Sequence, residues 1–86
     1  MILHEFYCVE YLKNSEFLIL FGRNLKKVRK SKGFTQAELA NDIGIEISQI
    51  SRIERGIINT SISTTNEIAK VLKVNITDLF NFTQKS

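Results

Sequence analysis

Residues 35–56 read TQAELANDIGIEISQISRIERG and predict two short helices joined by a tight turn. Ala40 is small where the two helices must approach closely, and Gly44 stands at the break between them. A glycine suits that break because a left-handed backbone costs a residue with a Cβ atom about 1 kcal/mol or more. Apolar residues recur at spacings of three and four, which places them on one buried face of each helix. They are Leu39, Ile43, Ile45, Ile50 and Ile53.

The other positions of this stretch are mostly polar and are predicted to face solvent. They include Glu38, Ser48, Gln49, Ser51 and Arg52. A helix that carries small polar and cationic side chains on its outer face suits the edges of DNA bases. The stretch therefore predicts a helix that is presented to a DNA groove.

The stretch resembles the Cro and phage-repressor type of helix-turn-helix, also called the xenobiotic-response-element family of bacterial regulators. The resemblance covers residues 21–80 and rests on TQAELA, a following glycine, ISRIERG and the downstream pattern IAKVLKVNITDLF. It implies an all-α, compact, five-helix lambda-repressor-like DNA-binding domain, which we assign to residues 15–86. Residues 1–14 are predicted to form a short N-terminal arm.

Capping residues and apolar spacing predict five helices around one core. The predicted helices are residues 15–32, a second helix that Thr35 caps and Gly44 ends, residues 47–55, residues 64–72 and residues 76–80. Ser15 is the expected N-cap of the first helix, and Gly33 is its expected stop. Thr35 and Glu38 are spaced as a capping box. In the fifth helix, Leu79 and Phe80 are expected to anchor the core, whereas Phe82 suits the core and a dimer contact equally.

Residues 1–14 read MILHEFYCVEYLKN and show no clear period. Ile2, Phe6 and Val9 fit one face of a helix, while the aromatic and β-branched content of residues 6–11 equally suits a short strand. Both conformations are compatible with an arm that packs against another surface.

The composition predicts a single small ordered domain without a catalytic site. The chain has 86 residues, 43% hydrophobic and 24% charged, and no proline. His4 and Cys8 are the only histidine and cysteine, and no acid–base or metal-binding constellation surrounds them in the sequence. We therefore expect no enzyme activity, cofactor, metal or small-molecule ligand. The single cysteine, the lack of a secretory signal and an apolar run limited to residues 17–21 indicate a cytoplasmic protein without a membrane segment.

Positive charge is concentrated in the region predicted to read DNA. The formal net charge is +3. Residues 17–56 contain eight cations and four acidic residues, whereas residues 1–16 contain one lysine and three glutamates. A cationic reading region is what binding to phosphates requires.

The resemblance assigns base contacts to the start of the third helix. Position for position, Ile47, Ser48, Gln49 and Arg52 match the base-facing residues of the family. Arg52 can donate two hydrogen bonds to guanine, Gln49 can pair with adenine or reach a phosphate, and Ser48 is adaptable. Ile47 is interpreted as a contact to a thymine methyl group, with burial against Phe34 or a partner as the alternative.

Gln36, Arg55 and Asn59 match family positions that contact phosphate. Gln36 begins the second helix, where partial positive charge and free amides favour an anion. The following loop departs from the family because it carries Ile57 and Ile58 where relatives often have basic residues and a proline. This difference predicts weaker sequence-independent binding, and the two isoleucines suit a subunit contact or a wedge in the groove.

The resemblance also implies a buried ion pair between Arg29 and Glu54, which we expect to orient the third helix. Glu46 occupies the N-cap of that helix, where serine, threonine or aspartate would cap better. Its negative charge suits the helix dipole but would repel phosphate unless it is paired.

The sequence thus predicts a sequence-specific DNA-binding transcriptional regulator that binds double-stranded DNA as a homodimer, with one half-site for each chain. The expected dimer surface is the region of the fourth and fifth helices with the C-terminal tail, extended by the arm. The small size resembles controller proteins of restriction–modification systems or stand-alone phage-type repressors. The alternative is an antitoxin-like or adaptor module that uses the same fold to bind a protein.

Overall fold

The first helix, α1, is the longest element and runs Ile2–Ser31. The computed structural model describes residues 2–83, with side chains from residue 15 onward. At a rise of 1.5 Å per residue, α1 is about 45 Å long. Ser15 lies inside α1, so the prediction that Ser15 caps this helix is wrong, because the preceding residues continue the helical backbone. The side chains of His4 and Cys8, which the sequence analysis places in no acid–base or metal-binding constellation, lie outside the described ones.

Three shorter helices and a 3-10 helix follow α1. They are α2 at Gln36–Ile43, α3 at Ile47–Arg55, α4 at Ile62–Leu72 and the 3-10 helix at Ile76–Phe80. The prediction of an all-α fold is confirmed, and residues 2–83 contain no strand. None of the helices in this range is both long and apolar enough to cross a bilayer.

Glycines end α2 and α3 in the left-handed conformation, as the sequence predicts for Gly44. The φ angle is 90° at Gly44 and 76° at Gly56. The predicted capping box at the start of α2 is also confirmed, since Thr35 and Glu38 each accept a hydrogen bond from the other's backbone N–H. The α2–turn–α3 geometry therefore follows from local chemistry that is visible in the sequence.

A single apolar core joins the helices. Its buried members are Phe21, Leu25, Leu39, Ala40, Ile50, Ile53, Ile68, Ala69, Leu72 and Leu79. Ile43 and Ile45, which were predicted to be buried, are half-buried and pack against the edge of this core. The core holds α2 and α3 against α1 and α4, and thereby fixes the position of α3.

The helix α4 begins two residues earlier than predicted. Ser61 is its N-cap, and the Ser61 hydroxyl accepts a hydrogen bond from the backbone N–H of Thr64 at 3.0 Å. The Ser-Ile-Ser run resembles a loop in sequence, but serine is among the best N-cap residues. The helix therefore includes Ile62 as its first residue.

The fifth predicted helix is a 3-10 helix, and only one of its two expected core anchors is buried. Leu79 is fully buried, whereas Phe80 is 43% exposed. With three residues per turn, consecutive side chains point about 120° apart, so the two cannot share one buried direction. The side-chain amide of Asn24 donates to the carbonyl oxygens of Asp78 at 3.0 Å and Leu79 at 2.8 Å, which ties the 3-10 helix to α1.

Candidate nucleic-acid interface

The helix α3 has a polar face toward solvent and an apolar face toward the core. Ser48, Gln49 and Arg52 are exposed. Ile50 and Ile53 are buried on the opposite face. The three side chains that the sequence analysis assigned to base contacts therefore lie together on the free surface of one helix, at the spacing that a DNA groove can receive.

Ile47, the first residue of α3, is also on the surface. Its side chain is 48% exposed, so it is not buried against Phe34 within the chain. Two of the predicted roles of Ile47 are compatible with this exposure, which are contact with DNA and contact with another chain. An exposed isoleucine beside polar side chains that are predicted to read bases suits the methyl group of thymine.

The N-terminus of α3 is not capped by a side chain. Glu46 has the extended backbone of an N-cap, with φ −72° and ψ 143°, but within the described side chains it makes no capping hydrogen bond. This agrees with the expectation that glutamate caps poorly, because its longer side chain does not return easily to the first-turn amides. Of the first-turn amides, that of Gln49 donates to the Glu46 carbonyl oxygen at 3.0 Å. The helix dipole places partial positive charge at this end of α3.

A buried ion pair supports α3 from behind. Arg29 of α1 donates through Nε to Glu54 Oε2 at 2.5 Å and through Nη2 to Glu54 Oε1 at 3.1 Å. A third donor, Arg29 Nη1, reaches the carbonyl oxygen of Phe34 at 2.7 Å. Both charged residues are 5% exposed. Since a bidentate pair fixes both direction and distance, it links α1 to the end of α3 in one geometry.

Gln36, which was expected to contact phosphate, directs its side chain into the protein. Its Nε2 donates to Glu54 Oε1 at 2.9 Å, and the residue is half-buried. The capping box occupies the amides of Thr35 and Glu38. The backbone N–H of Gln36 lies in the first turn, where an amide has no partner within the helix. A phosphate contact at this position therefore falls to the backbone rather than to the side chain.

Gly22 was missed in the sequence analysis, although it sets the distance between α1 and α3. A Cβ atom at this position would overlap the carbonyl oxygens of Ile53 and Glu54. Similarly, a Cβ atom on Gly56 would lie 2.6 Å from the Cα atom of Ile19. The available signal was a glycine inside a helix, where glycine costs about 1 kcal/mol relative to alanine and needs a packing reason.

The cations that could hold phosphates are on the surface. They are Arg23, Lys26, Lys27, Lys30, Lys32, Arg52 and Arg55. Of the cations between residues 23 and 32, only Arg29 is buried, as its ion pair requires. Asn59 is exposed in the loop that follows α3, and Arg55 Nε makes a long hydrogen bond of 3.4 Å to the Ser51 carbonyl.

An apolar groove lies between α1 and the start of α4. This α1–α4 groove is lined by Phe17, Phe21, Ile58, Ile62 and Phe80, among other residues, and has a volume of about 180 Å³. Ile62 is 84% exposed at its rim. The ring of Phe80 lies 6.3 Å from that of Phe17 and 5.0 Å from that of Phe21. Among the side chains from residue 15 onward, no charged residue lines the groove.

Comparison with known proteins identifies the family. A helix-turn-helix family model matches residues 25–79. Control protein C.BamHI from Bacillus amyloliquefaciens is 38% identical over 66 residues, which cover 76% of this chain and 82% of that protein. The chain belongs to the helix-turn-helix (HTH_3) family. This is a family of DNA-binding transcriptional regulators and not of enzymes.

Solved helix-turn-helix structures share the fold. The restriction-modification controller protein C.AhdI from Aeromonas hydrophila matches with a TM-score of 0.71 and 33% identity, covering 73% of this chain and 96% of that one. SinR, a master regulator for biofilm formation solved in complex with DNA, matches with a TM-score of 0.66 and 35% identity. That match covers 71% of this chain and 98% of the SinR chain.

The family model matches one part of the chain, and the chain in turn matches only part of some longer relatives. Residues 1–24 precede the segment that the family model matches. The chain spans 41% and 57% of the lengths of two longer curated regulators. The shared part contains α2, α3, α4 and the C-terminal end of α1, which together build the surface described above.

Proposed function

We propose that this protein is a sequence-specific transcriptional regulator that acts in the cytoplasm as a symmetric homodimer on an operator with two half-sites. Each α3 helix enters the major groove of one half-site. The observation that carries the proposal is the face formed by Ser48, Gln49 and Arg52, which is exposed while the opposite side of α3 is fixed to α1 by the buried Arg29–Glu54 pair. A reading helix needs both accessible side chains and a rigid support.

The residues divide into base readers and phosphate contacts. Arg52 donates to guanine, Gln49 pairs with adenine or reaches a phosphate, Ser48 contacts either kind of base pair, and Ile47 packs against a thymine methyl group. The phosphate contacts are the backbone N–H of Gln36 and the side chains of Arg55 and Asn59. Phosphate contacts fix the orientation of the protein, and base contacts supply specificity.

Dimerisation is proposed to use the α1–α4 groove with the 3-10 helix. The described lining of this groove is apolar or uncharged, and such a surface can meet its own copy across a twofold axis without repulsion between like charges. Ile62 and Phe80 are large apolar side chains left exposed in the single chain, which is unfavourable for a monomer. We retain the assignment of residues 1–14 as an arm that extends the contact between the two chains.

Within the family, we propose a role as a restriction–modification controller protein. The chain matches C.BamHI and C.AhdI over most of the length of each, whereas it matches only part of the longer regulators. These two matches, at 38% and 33% identity, support the controller role.

Selection from random duplex DNA tests the proposal. The full chain should enrich fragments that contain two inverted half-sites about one DNA turn apart, because two symmetric reading helices require that spacing. Bound complexes should contain two chains for each duplex when they are measured by analytical ultracentrifugation. Failure to enrich any sequence would refute the regulator, and a complex of one chain with one duplex would refute the homodimer.

A further inference from the structure

The carboxylate of Glu54 receives hydrogen bonds from two other helices. Arg29 of α1 binds both of its oxygens, and Gln36 of α2 donates to Oε1 at 2.9 Å. Glu54 itself belongs to α3 and is 5% exposed. One buried group therefore joins the three helices that decide where the base-reading face lies.

The two kinds of donor on Gln36 serve different purposes. Its side-chain amide is committed to Glu54, whereas its backbone N–H is a first-turn amide without a partner in α2. A substitution of the side chain consequently alters the link to Glu54 and leaves the backbone donor in place.

We propose that the side chain of Gln36 is a positioning residue that sets base discrimination through Glu54, and is not a phosphate contact. This inference rests on the proposed function. Glu54 lies two residues after Arg52 on α3, so a change in its support shifts the guanidinium that reads bases. Hydrogen bonds to base edges depend on direction and distance, and a small shift of α3 weakens them more than it weakens contacts to the repeating phosphates.

The test compares the wild type with Gln36→Met, which keeps the length of the side chain and removes its hydrogen-bond donor. Both are titrated with the operator selected above and with a non-operator duplex of equal length. Affinity for the operator should fall about 10-fold, while affinity for the non-operator duplex should change by less than about 2-fold. Equal losses on the two duplexes would assign the side chain to phosphate and overturn the proposal.

A double-mutant cycle shows whether the effect passes through Glu54. In a Glu54→Gln background, Gln36→Met should reduce operator affinity by less than about 2-fold, because the linked effects are not additive. Retention of the full 10-fold loss in that background would overturn the proposal. Asn41→Met, at an exposed position of the same helix, is the matched control and should leave both affinities within about 2-fold of wild type.

A measurement on the free protein covers the case in which Glu54→Gln does not fold. The Nε proton of Arg29 should exchange with solvent about 10-fold faster in Gln36→Met than in wild type, because the acceptor of its hydrogen bond is held less firmly. An unchanged exchange rate would overturn the proposal. If the wild type shows no preference for any duplex, the proposed function fails instead, so the two failures are distinguishable.

Discussion

At the scale of single residues, Gly22 controls how closely α1 approaches α3. A methyl group at this position would overlap the carbonyl oxygens of Ile53 and Glu54. Alanine has a higher helix propensity than glycine, but the clash of its methyl group with the backbone of α3 outweighs that gain. Gly22→Ala should therefore lower the free energy of unfolding by about 1–3 kcal/mol. Urea denaturation followed by circular dichroism measures the change, with Lys26→Ala on the exposed face of α1 as the control. A Gly22→Ala protein at least as stable as wild type would contradict the packing.

The buried and exposed ion pairs of this chain offer a direct comparison. Glu54→Gln should destabilise the protein by about 3–5 kcal/mol, because it leaves Arg29 charged and unpaired in the interior. Glu67→Gln removes an exposed pair with Lys70, whose atoms are 3.5 Å apart, and should cost less than about 1 kcal/mol. Urea denaturation measures the change in the free energy of unfolding for both variants. If Glu54→Gln left both stability and DNA affinity unchanged, the pair would not orient α3.

The structural roles of residues that contact their neighbours in the sequence were predictable. The roles of residues that contact backbone far away in the sequence were not. Gly44 and the Thr35–Glu38 box follow from local backbone rules, and both are present. Gly22 and Asn24 depend on which carbonyl groups lie opposite α1, and those groups belong to residues 31 to 55 positions away. Sequence periodicity contains no information about such a contact, because it describes one helix at a time.

At the scale of secondary-structure elements, the N-termini of α3 and α4 differ in one hydrogen bond. Ser61 caps α4, whereas Glu46 gives α3 no side-chain hydrogen bond within the described residues. Glu46→Ser should therefore stabilise the protein by about 1 kcal/mol, and Ser61→Ala should destabilise it by a similar amount. Thermal and urea unfolding of the two variants measure both effects. If Glu46→Ser were less stable than wild type, the interaction of the native Glu46 carboxylate with the helix dipole would outweigh the hydrogen bond that serine adds.

The boundaries of elements were harder to predict than their existence. All five helical segments were expected, yet α4 begins at Ile62, and the last segment is a 3-10 helix. Both differences arise at short polar runs that contain Ser61 and Asn75. Such residues form local hydrogen bonds either at the start of a helix or in a loop, and the two conformations have similar energies. The start of α1 differs most, because residues 1–14 have no single apolar period to indicate where a helix begins.

At the scale of the whole molecule, the α1–α4 groove is where association of two chains should be tested. Ile62→Lys replaces the most exposed large apolar side chain of the described surface with a charged one. Because Ile62 lies outside the core, the substitution should not disturb the fold. Sedimentation velocity should show a shift from dimer to monomer, with circular dichroism unchanged, because burying an unpaired charge is unfavourable. Asn41→Lys, on α2, is the control and should remain dimeric. Dimerisation of Ile62→Lys with wild-type affinity would place the interface elsewhere.

We propose that Ser48, Gln49 and Arg52 on the exposed face of α3 read base pairs, while Arg55 at the end of the same helix holds phosphate. The most direct test measures the affinities of wild type, Arg52→Ala and Arg55→Ala for the selected operator and for operators with each base pair changed in turn. Arg52→Ala should cost about 1–3 kcal/mol on the operator and remove the preference at one base pair in each half-site. Arg55→Ala should weaken binding to every duplex by the same factor. Equal losses on every duplex for both variants would contradict the claim.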